Sequence, residues 1–182
     1  IVAHGSFNPS LVVSTGGILD YPDESGSFSG DSGDLIINSL AGIIRKSGGT
    51  GTNLIDWAVL STGSIEVQTG GLLFNEGGSI GGSVSLATNA VLLLEDGVFS
   101  MLNGGAATGG GSFIVSATAD VSSGSSYNAQ AMVELLAGGG LGGGSGVFAV
   151  NGPFAIRGGT VNDGGSLDLN GAGTVTGGAQ MR

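Results

Sequence analysis

A five-residue pattern recurs along this chain and constrains its fold more than any other feature. Each copy begins with glycine, often followed by serine, and its third and fifth residues are apolar, as in residues 63–67 and 82–86. Because successive side chains of a β-strand point to opposite faces, this alternation predicts short strands with one buried face. The predicted inward-facing residues are Leu35, Ile37, Ile65, Val67, Val84, Leu86, Phe113, Val115, Phe148, Val150, Leu167 and Leu169.

The spacing of the copies predicts how these strands are connected. The main glycines stand at positions 33, 63, 82, 111, 146 and 165, with secondary copies between them. Such spacings fit turns of a coil better than hairpins with two-residue turns. A repeat buries its apolar face only against other copies of the repeat. We therefore predict an all-β fold in which short strands follow one another around a coil.

Composition narrows the classes of protein and of partner. The 182 residues contain 40 glycines and only 3 prolines, which excludes collagen. Acidic residues number 14 and basic residues 4, so the net charge of −10 would repel a phosphate backbone, and we expect no nucleic-acid partner. No run approaches the roughly 18 apolar residues of a membrane-spanning helix. The absence of cysteine excludes disulfides.

Domain organisation follows from where the pattern is clear. We predict a single solenoid domain over residues 1–182, with irregular strands and an acidic loop over residues 1–34 and regular coils over residues 35–182. The chain starts at Ile1, with no signal-like segment before it. We interpret it as a fragment or module of a longer or polymerising chain.

Asparagine closes several of the apolar runs. Identical polar side chains that stack at strand spacing can hydrogen-bond along the stack as a ladder, which requires parallel coils in near register. The alternative is that asparagine serves only as a good turn residue. The residues concerned are Asn38, Asn75, Asn103, Asn151 and Asn170.

One segment, residues 126–137, departs from the strand pattern. Ala129, Met132, Val133 and Leu136 fall at helical spacing before Gly138, as in a short helix. Against this, residues 132–136 also fit one more strand, which we favour over the helix.

An acidic segment between residues 20 and 34 is the candidate metal site. Calcium takes six to eight oxygen ligands, and five carboxylates here provide some of them. Their spacing matches neither the EF-hand loop nor the glycine-rich calcium repeats of β-rolls, and a mobile acidic surface loop is the alternative. The five candidate calcium ligands are Asp20, Asp23, Glu24, Asp31 and Asp34.

Other reactive residues give little sign of catalysis. The single histidine, His4, has no acid or nucleophile at a suggestive spacing. Glu66 and Asp168 fall at outward strand positions, where solvated charge explains them more simply than glycosidase chemistry. Trp57 is a candidate for stacking on a sugar ring, but a core position suits it better. We predict no catalytic residue and, calcium apart, no cofactor.

Two segments carry a family resemblance. Residues 42–52 (Gly-Ile-Ile-Arg-Lys-Ser-Gly-Gly-Thr-Gly-Thr) and 63–74 (Gly-Ser-Ile-Glu-Val-Gln-Thr-Gly-Gly-Leu-Leu-Phe) resemble repeat units of large bacterial surface and secreted proteins. They are similar to passenger-like regions of autotransporters and to filamentous adhesins. The resemblance is best over residues 33–115 and weak before residue 33. It implies a parallel β-helix on the bacterial cell surface or outside the cell, and it assigns a role to no individual residue. With this resemblance we predict a right-handed parallel β-helix (β-solenoid) of six or seven coils, roughly 30 Å long at the usual strand spacing.

Function is expected to follow from the scaffold. The leading hypothesis is an extracellular structural module of a surface fibre, filament or adhesin stalk, whose partners are copies of itself or adjacent repeats. The alternative is a module that binds a surface glycan or a host protein through outward loops, chiefly residues 20–34 and 124–146. A polysaccharide-degrading enzyme is the third and weakest hypothesis.

Overall fold

The computed structural model describes residues 9–30, 33–161 and 165–181. These residues form short β-strands without a helix, so none of them belongs to a helix that could cross a membrane. The strands are β1 Ser10–Val13, β2 Ile18–Tyr21, β3 Leu35–Asn38, β4 Ile43–Lys46, β5 Thr52–Ile55, β6 Ala58–Ser61, β7 Ser64–Val67, β8 Gly71–Phe74, β9 Gly78–Ile80, β10 Ser83–Leu86, β11 Val91–Leu94, β12 Val98–Met101, β13 Ala106–Gly109, β14 Ser112–Val115, β15 Thr118–Val121, β16 Ser126–Ala129, β17 Met132–Leu135, β18 Gly140–Gly143, β19 Val147–Val150, β20 Phe154–Ile156, β21 Thr160–Val161, β22 Ser166–Leu169, β23 Gly173–Val175 and β24 Gln180–Met181.

The strands form three parallel sheets that the chain visits in turn. The first sheet has nine strands in the order β1-β3-β6-β9-β12-β15-β18-β21-β24. The second has eight, β2-β4-β7-β10-β13-β16-β19-β22, and the third has seven, β5-β8-β11-β14-β17-β20-β23. The prediction of an all-β parallel β-solenoid is confirmed. It has about eight coils rather than six or seven, and its handedness stays a prediction.

The core lies inside the three sheets and is built from layers one strand apart. Ile44, Ile65 and Val84 are register partners on β4, β7 and β10, and none is more than 1% exposed. Farther along, the ring of Tyr127 lies 6.3 Å from that of Phe113 and 5.5 Å from that of Phe148. Ten of the twelve predicted inward residues face this core, although Leu167 and Leu169 are only half-buried because β22 is the last strand of its sheet.

The prediction was wrong for Leu35 and Ile37, which point outward. On β3 the buried residues are Ile36 at 0% exposure and Asn38 at 1%, and Asp34 just before the strand is also buried. Because residues 35–37 are all apolar, the sequence alone does not show which of them face inward. Pairing with the next coil decides it. Ile36 lies beside the buried Val59 of β6 in a common register.

The first coil begins well before residue 34. Strands β1 and β2 pair in parallel with β3 and β4, and Phe28 forms a parallel bridge with Ile55, at the place of a third-sheet strand. Much of the segment predicted as irregular is therefore one turn of the solenoid. Of the predicted acidic loop, Asp20 lies within β2 and Phe28 is buried.

The further strand favoured over residues 132–136 is confirmed, and the helix considered over residues 126–137 is absent. Tyr127 and Ala129 on β16 and Val133 and Leu135 on β17 alternate inward. Ala131, in the corner between these strands, is also buried, so a single period-two pattern runs through residues 127–135. The apparent helical spacing combined the inward Ala129 and Val133 with the half-buried Met132 and Leu136.

Candidate functional site

The acidic segment lies against the second coil through its carboxylates. Asp20 accepts a hydrogen bond of 2.9 Å from the Ser47 hydroxyl. Glu24 accepts one of 2.7 Å from the backbone N–H of Gly51. The segment is therefore held at an exposed corner of the solenoid rather than projecting freely.

These contacts shift the acid–base behaviour of two carboxylates. Hydrogen bonds from the Ser25 hydroxyl and the Ser25 N–H lower the pKa of Asp23. The Gly51 N–H lowers the pKa of Glu24 in the same way. A donor to the ionised form favours that form, so both side chains stay negative at neutral pH.

Two buried polar side chains tie the same segment down from inside. Lys46 is 0% exposed, and its ammonium group donates to the carbonyl oxygens of Gly48 and, at 3.4 Å, of Asp23. Asn53 is 1% exposed and donates to the carbonyl oxygen of Gly26. Sequence reasoning missed both residues. The only signal in the sequence was their position. Lys46 stands two residues after Ile44 and Asn53 two residues before Ile55, so each shares the inward face of its strand with a buried isoleucine.

The side chains of Asp34 and Trp57 both lie close to Gly30. Both are buried, at 2% and 3% exposure, and a Cβ at Gly30 would lie 1.9 Å from Asp34 Oδ2 and 2.7 Å from Trp57 Nε1. The Trp57 ring packs edge-on against Phe28 at 5.2 Å. The interpretation of Trp57 as a core residue is confirmed, and it offers no exposed face for a sugar.

The predicted calcium ligands are only partly brought together. Asp20 is exposed on β2 and Asp23 and Glu24 are exposed on the corner after it, whereas Asp34 is buried. In the part of the chain that the structure describes, no three His, Cys, Asp or Glu side chains form a group that could hold a metal ion. Asp31 and His4 lie outside the described residues. The five-ligand calcium site therefore stays a prediction.

Asparagine side chains do form a ladder, over part of the solenoid. Asn170 donates to Asn151 at 2.9 Å, and Asn151 donates to Asn128 at 2.8 Å. Asn128 lies within β16 and was not among the predicted members. Asn75 instead donates to Asp56 at 2.8 Å, and Asn38 donates to the Ser61 hydroxyl at 3.0 Å and the Ser64 carbonyl at 2.9 Å.

Asn103 lies in the turn between β12 and β13. Its Oδ1 accepts a 3.2 Å hydrogen bond from the backbone N–H of Ser126 on the next coil. Both interpretations of the asparagines therefore hold, each for different residues.

The outward carboxylates considered for glycosidase chemistry have no carboxylate partner along their sheet. Glu66 accepts a 2.8 Å hydrogen bond from Arg45 on one neighbouring strand and lies beside Ser85 on the other. Asp168 is exposed on β22, and its register partner is Ala149. A glycosidase needs two carboxyl groups roughly 5–10 Å apart, and these two residues do not provide such a pair.

Each end of the described solenoid presents strands that are paired on one side only. At one end these are β1 and β2, and at the other β22, β23 and β24. Thr176 donates its N–H to Ile156 on β20 at 2.7 Å. Because successive N–H groups along a strand point to opposite sides, the N–H of Val175 points to the open edge.

Comparisons with protein-family models, with curated proteins and with solved structures give no match for this chain.

Proposed function

We propose that this chain is a structural β-solenoid module of an extracellular filament, fibre or adhesin stalk on a bacterial surface. Its coils would join those of a neighbour by continuation along one chain or by end-to-end stacking of copies. The observation that carries the proposal is the set of open strand edges at both ends of the described solenoid. Unpaired edges present rows of N–H and C=O groups that template a further strand.

Both ends carry apolar side chains that are only partly covered, which supports stacking. Half-buried leucines close the core at each of them, Leu11 and Leu19 at one end and Leu167 and Leu169 at the other. Joining two copies would bury these side chains. Eight coils at the usual strand spacing make a rod of about 40 Å, so each added copy would lengthen a stack by that amount.

Electron microscopy and sedimentation velocity of the purified chain at neutral pH test the stacking route. We expect filaments whose length increases with protein concentration. Val175→Pro removes the edge-facing N–H of β23, and an edge strand tolerates proline at such a position. It should shorten or abolish the filaments, whereas Val175→Thr should preserve them. A wild-type chain that stays monomeric at high concentration would contradict stacking.

Continuation of the coil along a longer chain has its own test. The polypeptide that flanks residues 1 and 182 should then consist of the same glycine-punctuated units. A longer chain that includes these flanks should give a proportionally longer rod in microscopy. Flanking sequence without the repeat would contradict this route.

A binding module is the second candidate, because the acidic segment surrounds a surface depression of about 240 Å³. Its lining includes Leu19, Pro22, Ser25 and Phe28. A glycan-array or host-protein signal that is lost in Ser25→Trp, which fills the depression, would support this function. Ser123→Trp, at an exposed corner elsewhere, is the control. Trp57 is unsuitable as a probe because it is buried.

A further inference from the structure

The outer face of the third sheet carries a row of apolar side chains. Leu54, Leu73, Leu93 and Ile114 are register partners on β5, β8, β11 and β14. Each stands between two buried residues of its strand, so each points outward, and all four are half-buried. We call these four residues the apolar row. The next register partner is Glu134, which pairs with Arg157 at 3.2 Å.

Acidic side chains border this row on one side. An acid stands within two residues of the end of β5, β8 and β11, the three strands that carry the leucines. Asp56 and Glu95 continue the outward alternation two residues beyond Leu54 and Leu93. We call the following set the acidic margin: Asp56, Glu76, Glu95 and Asp96.

The acidic margin is tied to the sheet but is not neutralised. Asn75, between its members, donates to Asp56 at 2.8 Å, and the Glu95 N–H bonds to the Phe74 carbonyl at 2.9 Å. Glu76, Glu95 and Asp96 are exposed. These contacts order the corner and leave its negative charge facing solvent.

The basic side chains within the described part of the chain are engaged elsewhere. Arg45 pairs with Glu66, Arg157 pairs with Glu134, and the ammonium group of Lys46 is buried against carbonyl oxygens. With 4 basic residues in 182, a second copy of this chain is a poor source of compensating charge. Nucleic acids and anionic lipid surfaces would be repelled.

We propose that the apolar row and the acidic margin together bind a basic amphipathic helix of another protein. One coil rises about 4.8 Å and one helical turn about 5.4 Å, so a helix along the solenoid axis can place one apolar side chain per turn on each row residue. The four row residues cover roughly 14 Å, or close to three turns. Lysines or arginines on the flank of that helix would then lie over the acidic margin. The proposal is independent of filament formation.

The probe is a synthetic amphipathic Leu/Lys helix of about 15 residues, titrated against the whole chain by calorimetry or fluorescence anisotropy. Leu73→Ser with Leu93→Ser should weaken binding at least about tenfold, since two apolar contacts are lost. Glu95→Gln with Asp96→Asn should weaken it several-fold and reduce its salt dependence.

Matched controls remove the same groups from other faces. Val98→Ser alters an apolar residue that is 55% exposed on the first sheet, and Asp20→Asn with Asp168→Asn removes two outward charges from the second sheet. We expect wild-type affinity from both controls. A peptide of the same composition with its apolar residues scrambled around the helix should bind at least about tenfold more weakly.

Several outcomes would overturn the proposal. These are no binding of the Leu/Lys helix to the wild-type chain, equal binding of the scrambled peptide, or equal weakening by the charge controls and the margin variants. Hydrogen exchange on the wild-type complex covers the case in which the leucine variants fail to fold. It should show protection on β8 and β11, and protection confined to other strands would contradict the assignment.

Discussion

The side chain of Asn170 donates a 2.9 Å hydrogen bond to that of Asn151, which lies directly before it in the stack of coils. The same Asn151 donates at 2.8 Å to Asn128, so it is the middle member of a ladder that joins three coils. Such a ladder requires parallel strands in near register, which is the arrangement of the whole solenoid.

The ladder predicts unequal effects of two substitutions. Asn151→Ala removes both hydrogen bonds and should lower the free energy of unfolding by about 1–2 kcal/mol, whereas Asn170→Ala removes one and should cost roughly half as much. Urea unfolding monitored by circular dichroism measures both values. Equal effects of the two variants would show that the side chains do not act as a ladder.

The corner glycines predict a large steric effect. A Cβ at Gly82 would lie 1.8 Å from the carbonyl oxygen of Gly63 on the previous coil. We expect Gly82→Ala to destabilise the chain by more than about 3 kcal/mol, because the obstacle is backbone. Gly104→Ala is the control, since it meets open space and costs only the strain of a positive φ, about 1–2 kcal/mol. Similar thermal stability of the two variants would contradict the close approach of these coils.

Because Lys46 is buried, we expect that removing only its charge costs less stability than removing its side-chain volume. Lys46→Met fills most of the same space without a buried charge and should change stability by less than about 1.5 kcal/mol. Lys46→Ala leaves a cavity and should cost about 2–4 kcal/mol. Both variants release the Asp23 carbonyl, so limited proteolysis should cut residues 22–27 faster than in the wild type. An unfolded Lys46→Met chain would contradict this account.

The two buried tyrosines determine how the stability of the fold should change at alkaline pH. Burial raises the pKa of both Tyr21 and Tyr127 above the ordinary phenol value. The folded chain therefore favours the neutral phenols, and this contribution to stability is full below about pH 10 and declines as the pH rises further. Tyrosinate absorbance should appear only as the circular dichroism of the fold is lost. Ionisation near pH 10 in a chain that stays folded would contradict the burial of these rings.

Much of the fold follows from the sequence because alternation and spacing act together. The 19 residues between Gly63 and Gly82 are one complete coil, and Ile65 and Val84 are neighbours in register. The longer spacings gave a predicted number of coils that was too low, because copies of the pattern belong to different sheets. The copy at Gly82 leads into β10 of the second sheet and the copy at Gly111 into β14 of the third.

The polar residues inside the solenoid could not be predicted from the sequence in the same way. Asp34, Asn38 and Lys46 occupy inward positions of the early coils. The Asn38 amide and the Lys46 ammonium group donate to carbonyl oxygens there, those of Ser64 and Gly48 respectively. Hydropathy places such polar residues on the surface. The residues predicted to face inward on β3 were therefore Leu35 and Ile37 instead of Ile36 and Asn38. For the acidic segment, the sequence identified the carboxylates but not the contacts with Gly51 and Ser47 that hold them.

The stacking of parallel coils can be tested most directly with an engineered disulfide. The hydroxyl oxygens of Ser64 and Ser83, on adjacent strands β7 and β10, are 3.0 Å apart, and the chain has no cysteine of its own. Ser64→Cys with Ser83→Cys should form an intramolecular disulfide rapidly under mild oxidation, whereas Ser64→Cys with Ser85→Cys, offset by two residues, should not. Failure of the first pair to cross-link, or equal cross-linking of both pairs, would contradict the parallel, in-register solenoid.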